Sequence, residues 1–189
     1  MPQRKDVRDV RGVLLVVVSG PSGVGKTTVC NHLLARPEFE RVVTATTRAP
    51  RGAEVDGTDY HFLDAATFDA WVADDRFLEW AEVYGNRYGS PRAGAEAILA
   101  SDRFPLLNID VQGAASLRAA GMPCKRVFLL PPSMDELERR LRGRGTGDDI
   151  ERRLTVAREE IARQNEFDLC VVNHDSRTAA DEIASALLP

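Results

Sequence analysis

The chain has 189 residues and a formal net charge of −4, so we expect one α/β domain with a sizeable core and no general attraction to nucleic acids or membrane surfaces. Residues 1–12 are charged and lack the apolar segment of a signal peptide, and no apolar run approaches the ~18–20 residues of a membrane span. The three cysteines are widely spaced, which predicts reduced thiols in a cytoplasmic protein.

The first strong signal follows a short apolar run at residues 13–18. This run is β-branched and unbroken, as expected of a strand buried on both faces, and a helix is predicted at 27–34. The loop that joins them is Gly20-Pro21-Ser22-Gly23-Val24-Gly25-Lys26-Thr27, which fits G-x-x-x-x-G-K-[ST] at every fixed position. In such a loop the backbone N–H groups cradle phosphate oxygens, the lysine reaches the β- and γ-phosphates, and the threonine hydroxyl holds Mg²⁺. We therefore predict a nucleoside triphosphate site that extends to Thr28, with Lys26 as its cation and Thr27 as its metal ligand.

Other interpretations of this loop do not fit its spacing. A dinucleotide-binding G-x-G-x-x-G fingerprint fails because Gly23-Val24-Gly25 is not followed by a third glycine. A nucleophile elbow around Ser22 would need glycine at position 24. A turn that uses glycine for geometry alone explains neither Lys26 nor Thr27.

The rest of the chain alternates between two kinds of pattern. Apolar runs predict strands at 41–46, 105–110, 125–130 and 169–172, and helical patterns occur at 113–120, 133–142, 149–166 and 178–188. Ser133 as N-cap and Glu136 three residues later form a predicted capping box. Strands that alternate with helices indicate a parallel sheet with right-handed crossovers.

Two segments interrupt this alternation. Residues 48–93 contain strand-like pieces at 60–63 and 77–83 around a helix at 67–74, with turns at Asp56-Gly57 and Gly85-Asn86. We interpret this segment as a small mixed-β insertion, called the inserted lobe below. Residues 142–149 are rich in glycine and flanked by arginines, which is typical of a mobile flap.

Several motifs follow the phosphate loop in a fixed order, and together they resemble the guanylate kinase family. They are TATTRAPR at 44–51, GTDYHF at 57–62, FLEWA at 77–81, GNRYGS at 85–90, DVQG at 110–113 and L-x-x-R-L-x-x-R-G-T at 137–146. The resemblance covers nearly the whole chain. It implies the phosphate-loop nucleoside monophosphate kinase fold, with a parallel core sheet flanked by helices (12–47, 94–141 and 150–189). It also implies a mixed-β GMP-binding lobe at about 48–93 and a short lid at about 142–149, after a loose tail at 1–11.

The resemblance further implies ATP-dependent phosphorylation of GMP, and of dGMP, by direct in-line transfer with Mg²⁺ and release of ADP. The residues implied for GMP are Thr44, Arg48, Arg51, Tyr60, Glu79, Tyr88, Ser90 and Asp110. Those implied for the donor side are the loop residues, the lid cations Arg140, Arg144 and Arg153, and Asn173, with Arg144 and Asn173 also facing adenine. The implied catalytic cations are Lys26, Arg48, Arg51, Arg140, Arg144 and Arg153.

The residue chemistry agrees with these roles. Guanidinium groups match phosphate oxygens bidentately. A carboxylate at Glu79 can accept from both N1–H and the N2 amino group of guanine, a donor pair that adenine lacks. A simple surface ion pair between Arg140 and Glu136 is the alternative interpretation for that arginine.

The chain departs from the family pattern at three places. Thr44 replaces the usual serine. Asn108 stands where an acidic residue is common, which weakens the assignment of a metal site there. The flap before Arg153 is shorter than in the family pattern.

Two alternative functions stay open: a non-catalytic interaction module, and a kinase for another phosphorylated small molecule. A GTPase switch would need N-K-x-D, which is missing. We expect a monomer or homodimer without nucleic-acid or membrane partners.

Overall fold

The computed structural model describes residues 14–83, 85–143 and 149–188. The strands in these ranges are β1 Leu15–Ser19, β2 Phe39–Arg41, β3 Ala45–Thr46, β4 His61–Phe62, β5 Phe77–Val83, β6 Asn86–Pro91, β7 Phe104–Asn108, β8 Cys124–Leu130 and β9 Leu169–Val172. The helices are α1 Lys26–Leu34, α2 Ala65–Ala73, α3 Arg92–Ala100, α4 Val111–Ala119, α5 Met134–Arg142, α6 Ile150–Ala162 and α7 Ser176–Leu187, with a 3₁₀ turn at Gln164–Glu166.

The core is a parallel sheet in the order β2-β7-β1-β8-β9. Its central strand β1 is completely buried because helices cover both faces. Val16 and Val18 pack with α1 and α7 on one face, while Leu15 and Val17 pack with α3 and α4 on the other. The predicted parallel core sheet flanked by helices is confirmed, and β9 has the predicted bounds.

The inserted lobe, which in the structure also includes β3 just before residue 48, has its own mixed sheet and its own small core. The strand order is β4-β3-β6-β5, with β3 parallel to β4 and antiparallel to β6. Phe68 of α2 and Phe77 of β5 pack with Ala45 at the centre of this lobe. Asp64 caps α2 by accepting from the Thr67 backbone N–H at 2.6 Å. The prediction of a mixed-β unit is therefore confirmed.

The prediction of one strand at 41–46 is wrong, because the structure divides this segment between two strands. Its first part belongs to β2 in the core sheet, where the Val42 N–H still donates to the Leu106 carbonyl at 3.1 Å. Its last part, β3, pairs with β4 and β6 in the lobe. One apolar run thus passes from one sheet to the other because each half is buried against a different core.

Other differences concern element ends and two elements that the sequence patterns did not predict. β7 ends at Asn108, so Asp110 is not the last strand residue but the N-cap of α4, accepting from Gly113 N–H at 2.8 Å. Strand β6 and helix α3 were not predicted. The helix predicted at 149–166 ends at Ala162 and continues as the 3₁₀ turn.

At the start of α5, Ser133 accepts from the Glu136 N–H as expected of a capping box, whereas the Glu136 carboxylate binds arginines of the same helix. The predicted tail at 1–11, Arg144 and most of the predicted lid lie outside the described residues. In the ranges given above, no helix is long and apolar enough to cross a membrane.

Gly20 offers a test of how the end of β1 is held. Its φ is +140°, and a Cβ there would lie 2.5 Å from the Leu129 carbonyl oxygen of the neighbouring strand β8. Gly121 also has a positive φ, +64°, but a Cβ there would meet nothing within 4 Å. We expect Gly121→Ala to cost about 1–2 kcal/mol in the free energy of unfolding. Gly20→Ala should lower the free energy of unfolding by more than this, because the Leu129 backbone would also have to move away from the new Cβ. Urea unfolding of both variants measures the difference, and equal losses would contradict this account.

Candidate active site

The phosphate loop connects the carboxyl end of β1 to the start of α1, as the sequence predicted. Lys26 lies at the first position of α1, and its Nζ donates to the carbonyl oxygens of Gly20 at 2.5 Å and Pro21 at 3.1 Å. The side chain therefore folds back over the loop. Strand, glycine-rich loop and helix follow one another in the arrangement that makes this motif a phosphate-binding site.

The carbonyl oxygen of Val24 anchors the phosphate loop to two other parts of the core. Asn173, which follows β9, donates to it through Nδ2 at 2.7 Å, and Arg140 of α5 donates to it through Nη1 at 3.1 Å. Arg140 also donates to the Asn173 carbonyl at 3.1 Å and to Glu136 at 2.7 Å. The structure thus places both residues beside the phosphate loop and also forms the alternative Arg140–Glu136 pair.

Arg153 lies on α6, shortly after the end of the predicted lid. Its Nε is 4.0 Å from Asp149 Oδ2. The Nε atom of Arg153 is buried and has no hydrogen-bond partner within the described part of the chain. Its assignment as a lid cation stays a prediction.

A cavity of about 260 Å³ lies between the core and the inserted lobe. It is bounded on the core side by one face of α1 along its length and by the end of β7 with the residues that follow, and on the lobe side by β5 and β6. The residues predicted for the site that line it are Thr27, Thr44, Tyr60, Glu79, Tyr88 and Asp110, together with Asn108. The structure therefore brings five of the eight proposed GMP residues together with the proposed metal ligand of the phosphate loop, whereas Arg48, Arg51 and Ser90 do not line this cavity.

Glu79 is buried in the wall of this cavity, with 7% of its surface exposed. Ser90 Oγ donates to its Oε1 at 2.6 Å. Burial raises the pKa of Glu79 to about 7, the nearby charge of Asp110 acts in the same direction, and the Ser90 hydrogen bond opposes the shift. Glu79 is therefore not an exposed carboxylate on the surface of its strand.

Gly113 makes room for the Glu79 carboxylate. A Cβ at Gly113 would lie 2.6 Å from Oε2 of Glu79, closer than real Cβ contacts. Gly113 belongs to the DVQG motif, but sequence reasoning did not assign it a role. The signal that could have found it is a glycine placed inside a predicted helix.

Arg48 is also buried, with 8% of its surface exposed. It donates to the Ala49 carbonyl at 2.7 Å and to Glu54 Oε1 at 2.9 Å, and its Cζ lies 5.3 Å from the centre of the Tyr60 ring. The ring centres of Tyr60 and Tyr88 are 6.2 Å apart. The family resemblance implies four of the GMP residues for its phosphate, namely Arg48, Arg51, Tyr60 and Tyr88, and three of these four are therefore neighbours.

The fourth, Arg51, has an exposed side chain, and its backbone N–H donates to Glu54 Oε2 at 2.7 Å. Glu54 thus contacts Arg48 with one carboxylate oxygen and Arg51 with the other, a role that no sequence pattern indicated.

A second carboxylate that the sequence analysis missed is Glu160 of α6. Burial raises the pKa of Glu160, while Lys26 and a hydrogen bond from the Ser22 backbone N–H oppose the rise, so it lies against the phosphate loop.

The fold and site define a phosphate-loop α/β protein with an inserted lobe that faces the loop across a shared cavity. This is the arrangement of a nucleotide kinase. The chain belongs to the guanylate kinase family, because the family model described as guanylate kinase matches residues 13–188.

Similar proteins agree with this membership. The chain is 51% identical over 164 residues to a guanylate kinase of Parasynechococcus marenigrum, with 85% of this chain and 90% of the relative covered. It is 48% identical over 176 residues to one of Thermobifida fusca, with 92% and 90% covered. A crystal structure of a guanylate kinase from Anaplasma phagocytophilum matches with a TM-score of 0.75 and 36% identity, over 93% of this chain and 84% of that one. The chain is therefore a kinase, and the predicted family and enzyme class are confirmed.

The raised pKa of Glu79 predicts a pH effect on stability. Between pH 4.5 and about 7 the folded protein keeps a proton that the unfolded chain has released. As the pH rises through this window, Glu79 therefore removes roughly 1.4 kcal/mol of stability per pH unit. Glu79→Gln removes this dependence, so the variant should gain stability relative to the wild type as the pH increases.

Urea unfolding of the nucleotide-free protein at about pH 5 and about pH 7 measures this effect. Glu82→Gln, at an exposed position of the same strand, is the control. A difference between Glu79→Gln and the wild type that stays constant with pH would contradict the assignment of a raised pKa.

Proposed function

We propose that this chain transfers the γ-phosphoryl group of ATP to GMP and to dGMP, and that it releases ADP. The observation that carries the proposal is the buried Glu79 carboxylate in a cavity that also reaches Thr27 of the phosphate loop. Guanine presents N1–H and N2–H donors side by side, and a carboxylate accepts both. Adenine would leave the buried carboxylate without these donors, which is costly.

The phosphate end of the acceptor would bind to Arg48, Arg51, Tyr60 and Tyr88. A guanidinium has five N–H donors, and the bonds from Arg48 to Ala49 and Glu54 use two of them. Tyrosine hydroxyls add donors without adding charge.

The chemical step needs no covalent intermediate. A phosphate oxygen of GMP attacks the γ-phosphorus of ATP in line with the leaving oxygen. Lys26 lies where it can move from the carbonyl oxygens of Gly20 and Pro21 to the transferred group. Arg140, Arg153 and, in the lid segment, Arg144 would add positive charge as negative charge develops. Closure of the lobe and lid would exclude water, which otherwise competes as acceptor.

The oxygen donors at the cavity fit Mg²⁺ brought in with ATP. Thr27, Asn108 and Asp110 line the same cavity and offer hydroxyl, amide and carboxylate oxygens, the ligand types that this ion prefers. Over the described ranges, no group of three or more His, Cys, Asp or Glu side chains is placed to hold a metal. Bound with ATP, Mg²⁺ would neutralise charge on the phosphates, and Thr27 is its proposed protein ligand.

The test is release of ADP from ATP and Mg²⁺ with GMP, dGMP, AMP, CMP or UMP as acceptor. We expect rapid turnover with GMP and dGMP, and kcat/KM at least about 10³-fold lower with the other acceptors. Comparable turnover with another monophosphate would contradict the guanine-reading role of Glu79. Binding of GMP without any turnover would favour the non-catalytic interaction module instead.

Glu79→Gln tests the same role within one protein. The amide keeps the size of the side chain but accepts only one of the two guanine donors. We expect kcat/KM for GMP to fall by about 10²- to 10⁴-fold, because two hydrogen bonds to a charged group are altered. The KM for ATP should stay near the wild-type value, and Glu82→Gln should behave as the wild type. An unchanged kcat/KM for GMP would remove Glu79 from the acceptor site.

A further inference from the structure

Arg41 connects the core to the inserted lobe, although it lies in none of the motifs that resemble the family. It is the last residue of β2, at the edge of the core sheet. Its Nη2 donates to the Asp59 carbonyl oxygen of the lobe at 2.5 Å. Its Cζ is 5.7 Å from the centre of the adjacent Tyr60 ring. A side chain of the core therefore contacts the segment that carries a proposed phosphate ligand.

The Tyr60 ring lies near a second guanidinium. Arg48 Cζ is 5.3 Å from the same ring centre, and both distances fall within the range of cation–π attraction. Arg48 belongs to the loop at the base of the lobe, whereas Arg41 belongs to the core sheet. Tyr60 thus has one cationic neighbour on each side of the boundary between core and lobe, and its orientation depends on how these two parts sit together.

Arg41 also lies where the two described cavities meet. It lines the acceptor cavity of about 260 Å³ and, with Val42, a second cavity of about 720 Å³ between the lobe and α3. Its side chain is exposed, so it adds positive charge at the mouth of the acceptor cavity without the cost of burying that charge. The neighbouring acidic group of β2, Glu40, is paired with Arg103.

We propose that Arg41 is a positioning residue for the phosphate of the acceptor nucleotide. By binding the Asp59 carbonyl and flanking Tyr60, it holds the tyrosine hydroxyl at the distance from the phosphate loop that the acceptor phosphate requires. This inference rests on the proposed function, since it assigns Tyr60 to the phosphate of GMP.

The test compares Arg41→Met, which keeps the length of the side chain but removes its donors and charge, with Arg41→Lys. We expect Arg41→Met to raise the KM for GMP about 5- to 20-fold, with kcat and the KM for ATP within about 2-fold. Arg41→Lys keeps the charge and one donor toward Asp59, and should bring the KM for GMP back to within about 3-fold of the wild type. Arg103→Met is the matched control, because Arg103 is partly exposed and, of the two described cavities, lines only the second.

A double-mutant cycle with Tyr60→Phe separates positioning from general stability. If Arg41 acts through the tyrosine hydroxyl, Arg41→Met should change the KM for GMP by less than about 2-fold in the Tyr60→Phe background. Full additivity, a lowered KM in Arg41→Met, or an unchanged KM with normal GMP turnover would each overturn the assignment of Arg41. A wild-type protein that does not phosphorylate GMP would instead remove the proposed function, and this inference with it.

Discussion

A single carbonyl oxygen, that of Val24, ties together the parts of the molecule that must handle a triphosphate. It accepts from Asn173 after β9 and from Arg140 of α5, so the last core strand, the helix that precedes the predicted lid and the phosphate loop share one anchor. Val24 itself is completely buried, and hydrogen bonds in such surroundings are costly to break. These bonds therefore hold the shape of the loop before a nucleotide binds. A displacement of α5 would also move the loop, because Arg140 is bonded to the Val24 carbonyl.

The acceptor side is built on a different principle. The lobe has its own hydrophobic core around Phe68 and Phe77, separate from the two clusters that sandwich the main sheet. The chain passes from β2 to β3 within a few residues, and the acceptor cavity forms at this junction. Leu78 of β5 nevertheless packs in the cluster on one face of the main sheet, so direct apolar contact also joins the lobe to the core.

Local patterns predicted the core because its elements are determined locally. The β-branched run before Gly20, the glycine loop and the strand at 169–172 were identified from a few residues each. The split between β2 and β3 was not, because an apolar run does not reveal which of two sheets will bury it. β6 contains Gly89 and Pro91, which conceal a strand, whereas α3 carries a helical spacing at Ala95, Ile98 and Leu99 that was available and was missed. Contacts such as Glu54 with Arg48, or Arg41 with Asp59, depend on tertiary structure and left no signal in the sequence.

The closeness of Gly113 to Glu79 means that the absence of a Cβ atom at position 113 helps to define the proposed base pocket. The carboxylate occupies space that any other residue at position 113 would fill. Gly113 lies on α4 of the core, whereas Glu79 lies on β5 of the lobe, so the pocket is shared between two units far apart in the chain. A larger residue at position 113 would therefore have to displace the Glu79 carboxylate. Altering the base that this scaffold accepts is thus a problem of packing between units as much as of hydrogen-bond chemistry.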